Sequence, residues 1–297
     1  MTVLQFKDIH RSFVPGKKVL SGVTFDVSEG DVVGLIGRNG AGKTTLIHIA
    51  MGMLRSQKGT ASVLGLNPSD DPLPIKKQIG YVSEDQILPD YLKVGEILTL
   101  YRGLFPRWDP ELEHELLDRF RIRPGARIKE LSKGEARQVA LLCAVAHRPK
   151  LLLLDEPAGG LDPSVRREFL ETSIRLLNDA GSTILFSSHY MTDVERMANR
   201  IVMLNEGRVL LDDSMDALLE EHSLVRMPGG AGWSPDRFLS MEPCIAARTR
   251  NGAVHVILRL DPREGREWIR SKTGNEQFRC DPIRLEEMFI ELLGAPS

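Results

Sequence analysis

The chain has 297 residues, 42% hydrophobic and 27% charged, with a formal net charge of −2. This is the make-up of an ordinary globular protein, long enough for one large core and a smaller companion. So neutral a balance gives no general pull toward nucleic acid or an anionic membrane, and three scattered cysteines (Cys143, Cys244 and Cys280) offer neither a disulfide framework nor a structural zinc site.

In chain order, MTVLQFKDIHRSF lacks the apolar core of a signal peptide, and VLQF and VTFDV alternate around a PGKK turn, which predicts antiparallel strands. VVGLI (32–36) reads as a fully buried strand feeding a glycine-rich loop and then the helical spacing of TTLIHIAMGML. Further strands are expected at IGYV (79–82), KLLLLD (150–155) and STILFSS (182–188), with helices between them, the pattern of a parallel sheet. Residues 84–148 interrupt it with VGEILTLYRGLF and ELEHELLDRF, broken at Pro89, Pro106, Pro110 and Pro124, and read as an inserted helical subdomain. IVMLNEGRVLLD reads as a hairpin turning at Asn205, Glu206 and Gly207.

Near residue 215 the character changes, and SLVRMPGGAGWSP (223–235) has the composition of a linker or loop. AARTRNGAVHVILRL predicts a hairpin turning at Asn251–Gly252. DPIRLEEMFIELLG predicts a helix capped by Asp281, with Pro282 first, Leu285, Met288, Phe289, Leu292 and Leu293 on a core face, and Gly294 as its stop. Two domains are expected, 1–215 and 216–297. No apolar run approaches the ~20 residues that span a bilayer, so the chain is expected to be cytosolic and reduced, with any membrane part supplied by another polypeptide.

GRNGAGKTT (37–45) matches the phosphate-binding P-loop between a predicted strand and helix. Gly37, Gly40 and Gly42 let backbone N–H groups turn around phosphate oxygens, Lys43 can reach the β- and γ-phosphates, and Thr44 can offer its hydroxyl to Mg²⁺. Asn39 and Thr45 complete the candidate ATP-binding residues. LLLLDEP (151–157) ends a strand on Asp155, placed to hold the metal, and on Glu156, the candidate general base for water attack. LSKGEARQ (131–138) starts a helix, with Ser132 and Glu135 forming a capping box. The expected fold is α/β: a P-loop NTPase parallel sheet core with an N-terminal antiparallel β subdomain, a helical subdomain at about 84–148, and a small α+β C-terminal domain.

P-loop, LSKGE, LLLLDEP, GGLDP (159–163) and a histidine at 189, in that order over roughly residues 3–215, resemble the ATP-binding cassette (ABC) ATPase family. LSKGE stands where that family usually has LSGGQ. The resemblance implies that Ser132 and Gly134 contact the γ-phosphate of ATP held by a second cassette, that Asp162 couples the two sites, and that His189 contacts the γ-phosphate. It places Phe13 where an aromatic stacks on adenine, a core aromatic being the alternative. Glu84 replaces the family's glutamine near the metal and can still ligate Mg²⁺. Lys133 and Glu135 depart from the signature, as Ala158 and Gly159 do from the segment after Glu156.

YRGLFPRWD (101–109), LSKG and LEEMFIELLG resemble ATPase subunits of bacterial two-component exporters linked to drug, antimicrobial-peptide or cell-envelope functions. This implies a homodimer or paired cassette, a separate membrane permease, a peripheral place on the cytoplasmic face of the membrane, and no nucleic acid. Motion would pass to the membrane subunits near residues 84–105. The competing class is a soluble ABC ATPase in DNA repair, translation or iron–sulfur assembly. A regulatory or dimerisation role for residues 223–297 is a third possibility.

Overall fold

The computed structural model describes residues 1–14, 16–84, 88–178, 183–229 and 233–293. Alternation organises the first sheet. β1 (Thr2–Val14) and β2 (Lys17–Ser28) run antiparallel with Phe6 opposite Phe25, and β4 (Lys58–Val63) pairs with the other edge of β1. Leu4, Phe6 and Ile9 are fully buried with Val23 and Val27. The sequence carries little sign of β4, because only Ala61 and Val63 of KGTASV are buried.

The second sheet has six strands in the order β5 (Ile79–Val82), β6 (Leu151–Leu154), β7 (Thr183–Ser188), β3 (Val32–Gly37), β8 (Arg200–Asn205) and β9 (Arg208–Ser214). The first five are parallel, with Leu151 opposite Thr183 and Val32 opposite Ile184. Every residue of β3, β6 and β7 is buried, which is why these strands read as unbroken apolar runs. Helices α1 (Lys43–Ala50), α2 (Leu73–Lys76), α6 (Pro163–Asn178) and α7 (Met191–Met197) lie in the connections. The loops leaving the carboxyl ends of β3, β5, β6 and β7 begin at the P-loop, Ser83, Asp155 and His189, so the topology gathers four separated motifs at one end of the sheet. The β8–β9 turn uses Glu206 (φ 47) and Gly207 (φ 74), the left-handed pair of a tight hairpin.

Between β5 and β6 stand α3 (Val94–Leu104), α4 (Pro110–Phe120), a 3₁₀ turn (Ile128–Glu130) and α5 (Lys133–Val145). Asp109 caps α4, accepting from the N–H groups of Glu111 and Leu112 at 3.0 Å. YRGLFPRWD has a structural role here. Arg102 grips Glu113 with two nitrogens at 2.8 and 2.5 Å, and Trp108 Nε1 donates to the same carboxylate at 2.7 Å. α3 is thereby tied to α4 through a buried acid.

The chain divides into two compact units, Met1–Asp212 and Asp213–Ser297. The second holds α8 (Met215–Glu220), β10 (Ser223–Pro228), α9 (Pro235–Leu239), β11 (Cys244–Arg250), β12 (Ala253–Leu258), α10 (Pro262–Thr273), β13 (Arg279–Pro282) and α11 (Leu285–Leu293), with strands ordered β11-β12-β10-β13. Asn251 (φ 50) and Gly252 (φ 77) make the β11–β12 turn.

Two expectations for this unit are corrected. SLVRMP is no linker but the interior strand β10, paired on both sides, with Leu224, Val225 and Met227 buried. The linker composition belonged to the residues after it, of which 230–232 lie outside the described residues. Asp281 and Pro282 do not start the last helix: they end β13, opposite Leu224 and Ser223, and Asp281 accepts from Arg226 at 3.1 Å. α11 begins at Leu285 instead, with Glu287 reaching back to the Arg284 N–H at 3.3 Å. Gly294, expected to stop it, lies outside the described residues. The buried face of α11 is not wholly apolar. Glu291 is buried, accepting from Arg248, from Arg250 at 3.3 Å and from His255 at 2.9 Å.

Candidate functional site

The P-loop leaves β3 at Gly37 and enters α1 through Gly42, whose φ of 106 is a left-handed conformation. A Cβ on Gly42 would fall 2.4 Å from Leu20 Cδ2, so strain and space both demand glycine. No side chain caps α1, which leaves its first N–H groups to an anion from outside. Asn39, Gly40 and Thr44 are exposed, whereas Thr45 is buried. The Lys43 ammonium turns back over the loop, donating to the Gly37 carbonyl at 2.8 Å and standing 3.4 Å from Glu156 Oε1.

Asp155 and Glu156 follow β6, only 2% and 7% exposed. Ser187 of β7 orders both: its Oγ donates to Asp155 Oδ1 at 2.7 Å and accepts from the Glu156 N–H at 2.8 Å. Glu156 has φ 44, a left-handed value for a non-glycine residue and a local strain of the sort found at functional sites. Burial, with the Asp155 charge adding to it, pushes the nearby Tyr81 phenol up to about 12, so it remains a neutral hydroxyl.

His189 follows β7, and its Nδ1–H donates to Glu156 Oε2 at 2.8 Å. Its ring packs tilted against Tyr190, 4.0 Å between centroids, and the Arg166 guanidinium sits 3.4 Å from the centre of the Tyr190 ring. Arg166 is in turn paired with Asp193 at 2.5 Å. A chain of contacts from α6 and α7 therefore fixes the imidazole against the carboxylate.

The N-terminus of α5 shows the full capping box. Ser132 Oγ accepts from the Glu135 N–H at 3.2 Å, and Glu135 accepts from the Ser132 N–H at 2.7 Å. Hydrogen bonding from the Ser132 N–H, then from the Ser132 hydroxyl, holds the Glu135 carboxyl below its ordinary range. About one turn on, Arg137 is 4% exposed and spans two loops. It donates to the carbonyls of Glu84 at 2.6 Å and Pro157 at 3.0 Å, and to those of Ser83 and Glu156 at 3.4 Å.

The structure thus brings Lys43, Asp155, Glu156 and His189 together. The Glu84 carboxylate lies near them, 3.9 Å from where a Cβ on Gly159 would stand. Among the described residues no hydrogen bond or ion pair joins Ser132, Gly134 or Asp162 to the P-loop. Phe13 stands apart on β1, 55% exposed beneath Arg11, and is not a core aromatic. Sequence reasoning missed Arg137, Ser187 and Tyr190. An arginine leading into the apolar run VALLCAV, and two serines ending a buried strand just before His189, were the signals available.

Among the described residues no three His, Cys, Asp or Glu form a self-sufficient metal site. Mg²⁺ needs less from protein, since waters and phosphates supply most of its ligands. The hard oxygens of Thr44, Asp155 and Glu84 fit that requirement.

Residues 20–159 match the ABC transporter family. The chain is 33% identical over 284 residues to the Nod factor export ATP-binding protein I of Rhizobium sp. (strain N33), covering 94% of this chain and 93% of the relative. It is 29% identical to the ABC transporter ATP-binding protein YtrB of Bacillus subtilis (strain 168), covering 95% of each. Among solved structures, an ATP-binding subunit of an ABC transporter superposes with a TM-score of 0.65 at 32% identity, over 73% of this chain and 91% of that one. A dimeric cassette bound to ADP and Pi shares the fold, with a TM-score of 0.64 at 21% identity, over 71% of this chain and 98% of that one.

Proposed function

The chain belongs to the ABC transporter family as an ATP-binding, ATP-hydrolysing subunit, and on that premise we propose that it pairs with a second cassette around ATP and drives export through a separate membrane subunit. The separation of Ser132, Gly134 and Asp162 from the chain's own P-loop carries the two-cassette reading. The exposed Ser132 and half-buried Gly134 at the capped N-terminus of α5, with the exposed Asp162 ahead of α6, form half of an anion site that another cassette completes.

In this reading Gly37, Asn39, Gly40, Gly42, Lys43 and Thr45 bind the triphosphate, and the exposed Phe13 stacks on the adenine. Thr44, Asp155 and Glu84 hold Mg²⁺, which when bound offsets charge on the β- and γ-phosphates. Glu156 polarises the attacking water, Ser187 sets its backbone, and His189 reaches the γ-phosphate from β7. Product release then separates the cassettes.

The membrane subunit docks at the helical insertion. A groove of about 380 Å³ there is lined by Met51, Tyr81, Tyr101, Phe105, Cys143 and His147. α3 also exposes Leu100 and Leu104. No helix among the described residues is long and apolar enough to cross a membrane, which accords with a peripheral place at the cytoplasmic face. Residues 1–215 act as the cassette and 216–297 as an accessory domain. Near-neutral charge, and transporter relatives matched over nearly the whole chain, favour this over a soluble repair or translation ATPase. The test is sedimentation of Glu156→Gln with Mg²⁺. Dimer is expected with ATP and monomer with ADP, and a monomer in both would end the two-cassette reading.

A further inference from the structure

A second opening, of about 360 Å³, lies at the end of the parallel sheet remote from the P-loop. Gln78 and Lys150 on its wall stand just before β5 and β6, whereas Ser83 and Asp155 follow those strands, roughly 13 Å of extended chain away. Lys77, Arg107, Arg148 and Lys150 line it, and among the described residues no acid does. Asp109 neutralises Arg148 at 2.7 Å. No carboxylate among the described residues pairs with Lys77, Arg107 or Lys150. Three like charges about one opening repel, and an anion set between them removes that cost. The wall that carries Arg107 is fixed. The Phe105 ring stacks on the buried His147, 4.0 Å between centroids, and the Asp109 N–H donates to the Ala146 carbonyl at 2.7 Å. The Lys150 N–H donates to the Gln78 carbonyl at 2.9 Å, so Lys150 and Lys77 leave from adjoining backbone. FPRWD commits Trp108 to Glu113, and Asp109 to the α4 cap and Arg148, but the exposed Arg107 has no such use. Pro74 and Pro106 also line the opening, and Leu73 beside Pro74 is 64% exposed. Cations set among exposed apolar side chains match the headgroup layer of an anionic bilayer.

We propose that this opening takes the phosphate headgroup of an anionic membrane lipid, held by Lys77, Arg107 and Lys150, with Leu73, Pro74 and Pro106 against the apolar boundary below the headgroups. It rests on the reading above that the chain works at a membrane. Phe105 and His147 line both this opening and the groove given to the membrane subunit, so a subunit seated in that groove brings lipid headgroups to the same side of the cassette. Nucleotide binds at the other end of β5 and β6, so lipid and ATP do not compete for any residue.

The experiment sediments the purified full chain with vesicles of phosphatidylcholine, alone or with about one-third phosphatidylglycerol, at about 0.1 M salt. Wild type is expected to pellet with the anionic vesicles only. Combining Lys77→Gln, Arg107→Gln and Lys150→Gln is expected to weaken that binding about a hundredfold, about fivefold for each charge, with ATP binding and melting temperature unchanged. A control that removes the same charge from exposed positions elsewhere, Arg263→Gln, Lys272→Gln and Arg279→Gln, should bind as wild type does. Absence of wild-type binding, or an equal loss in the control, would overturn the proposal. Displacement by glycerol phosphate at constant ionic strength would overturn it in favour of a small soluble anion. Loss of the membrane subunit from the triple variant, with vesicle binding intact, would overturn it in favour of an acidic protein partner. A chain that ignores the vesicles yet recovers a membrane subunit from native membranes fails this proposal alone and leaves the transporter reading standing.

Discussion

Lys43 Nζ stands 3.4 Å from Glu156 Oε1, and both side chains are buried. The lysine assigned to phosphate and the carboxylate assigned to water therefore neutralise one another, with His189 on the second carboxylate oxygen at 2.8 Å. A triphosphate entering the P-loop competes for Lys43 and leaves Glu156 freer as the substrate arrives. Glu156→Gln keeps the shape and removes the base. Hydrolysis should fall by about 10²–10⁴ while ATP affinity is kept or rises, since the competitor for Lys43 is gone, as phosphate release and titration calorimetry would read separately.

Ser187 bonds to both acidic residues, so Ser187→Ala should act on rate and stability together. It leaves the buried Glu156 N–H without its acceptor and Asp155 without its donor. The expected cost is about 1–3 kcal/mol in chemical denaturation. kcat should drop while KM for ATP holds, because no nucleotide contact is removed.

Arg137 joins the loop after β5 to the turn after β6 through four carbonyls. Arg137→Ala is expected to destabilise by about 3 kcal/mol, since buried carbonyls lose a charged donor. Arg137→Lys should recover only part, because a single ammonium lacks the fork that spans both loops. Denaturant midpoints for the pair would check this, and wild-type stability in the alanine variant would refute it.

Glu113 sets a pH dependence. Burial pushes its carboxyl up, but hydrogen bonds from Arg102 and Trp108 and the Arg102 charge outweigh it, so its pKa falls below the ordinary 4.5. A depressed folded-state pKa gives stability that is present above that ordinary value and is lost as pH falls through the folded one. Melting temperature followed from pH 6 down to about pH 3 should show less acid sensitivity in Glu113→Gln than in the wild type. Equal slopes would contradict the pairing.

The parts legible in sequence were those with a local cause. Burial on both faces makes VVGLIG, LLLL and TILFSS continuous apolar runs, and Glu206–Gly207 and Asn251–Gly252 mark their own turns. Lys43, Glu156 and His189 could be named because each follows such a strand, and the structure brings them into contact. What escaped depends on distant partners. β10 is a strand because β12 and β13 flank it, and Asp281 belongs to β13 because Arg226 and β10 hold it there. Arg137 became visible as a site residue only when two loops from opposite ends of the insertion met, and Ser187 only when β7 paired with β6 and set it beside Asp155 and Glu156.

The most direct measurement of the transporter claim uses tagged Glu156→Gln, loaded with ATP and Mg²⁺, recovered from gently solubilised native membranes with its bound proteins identified and counted. The account predicts a multi-spanning membrane protein at near-equal stoichiometry, lost when ATP is replaced by ADP or when the Leu100 and Leu104 face of α3 is made polar. Ribosomes, nucleic acid or a soluble assembly, with no membrane protein, would contradict it.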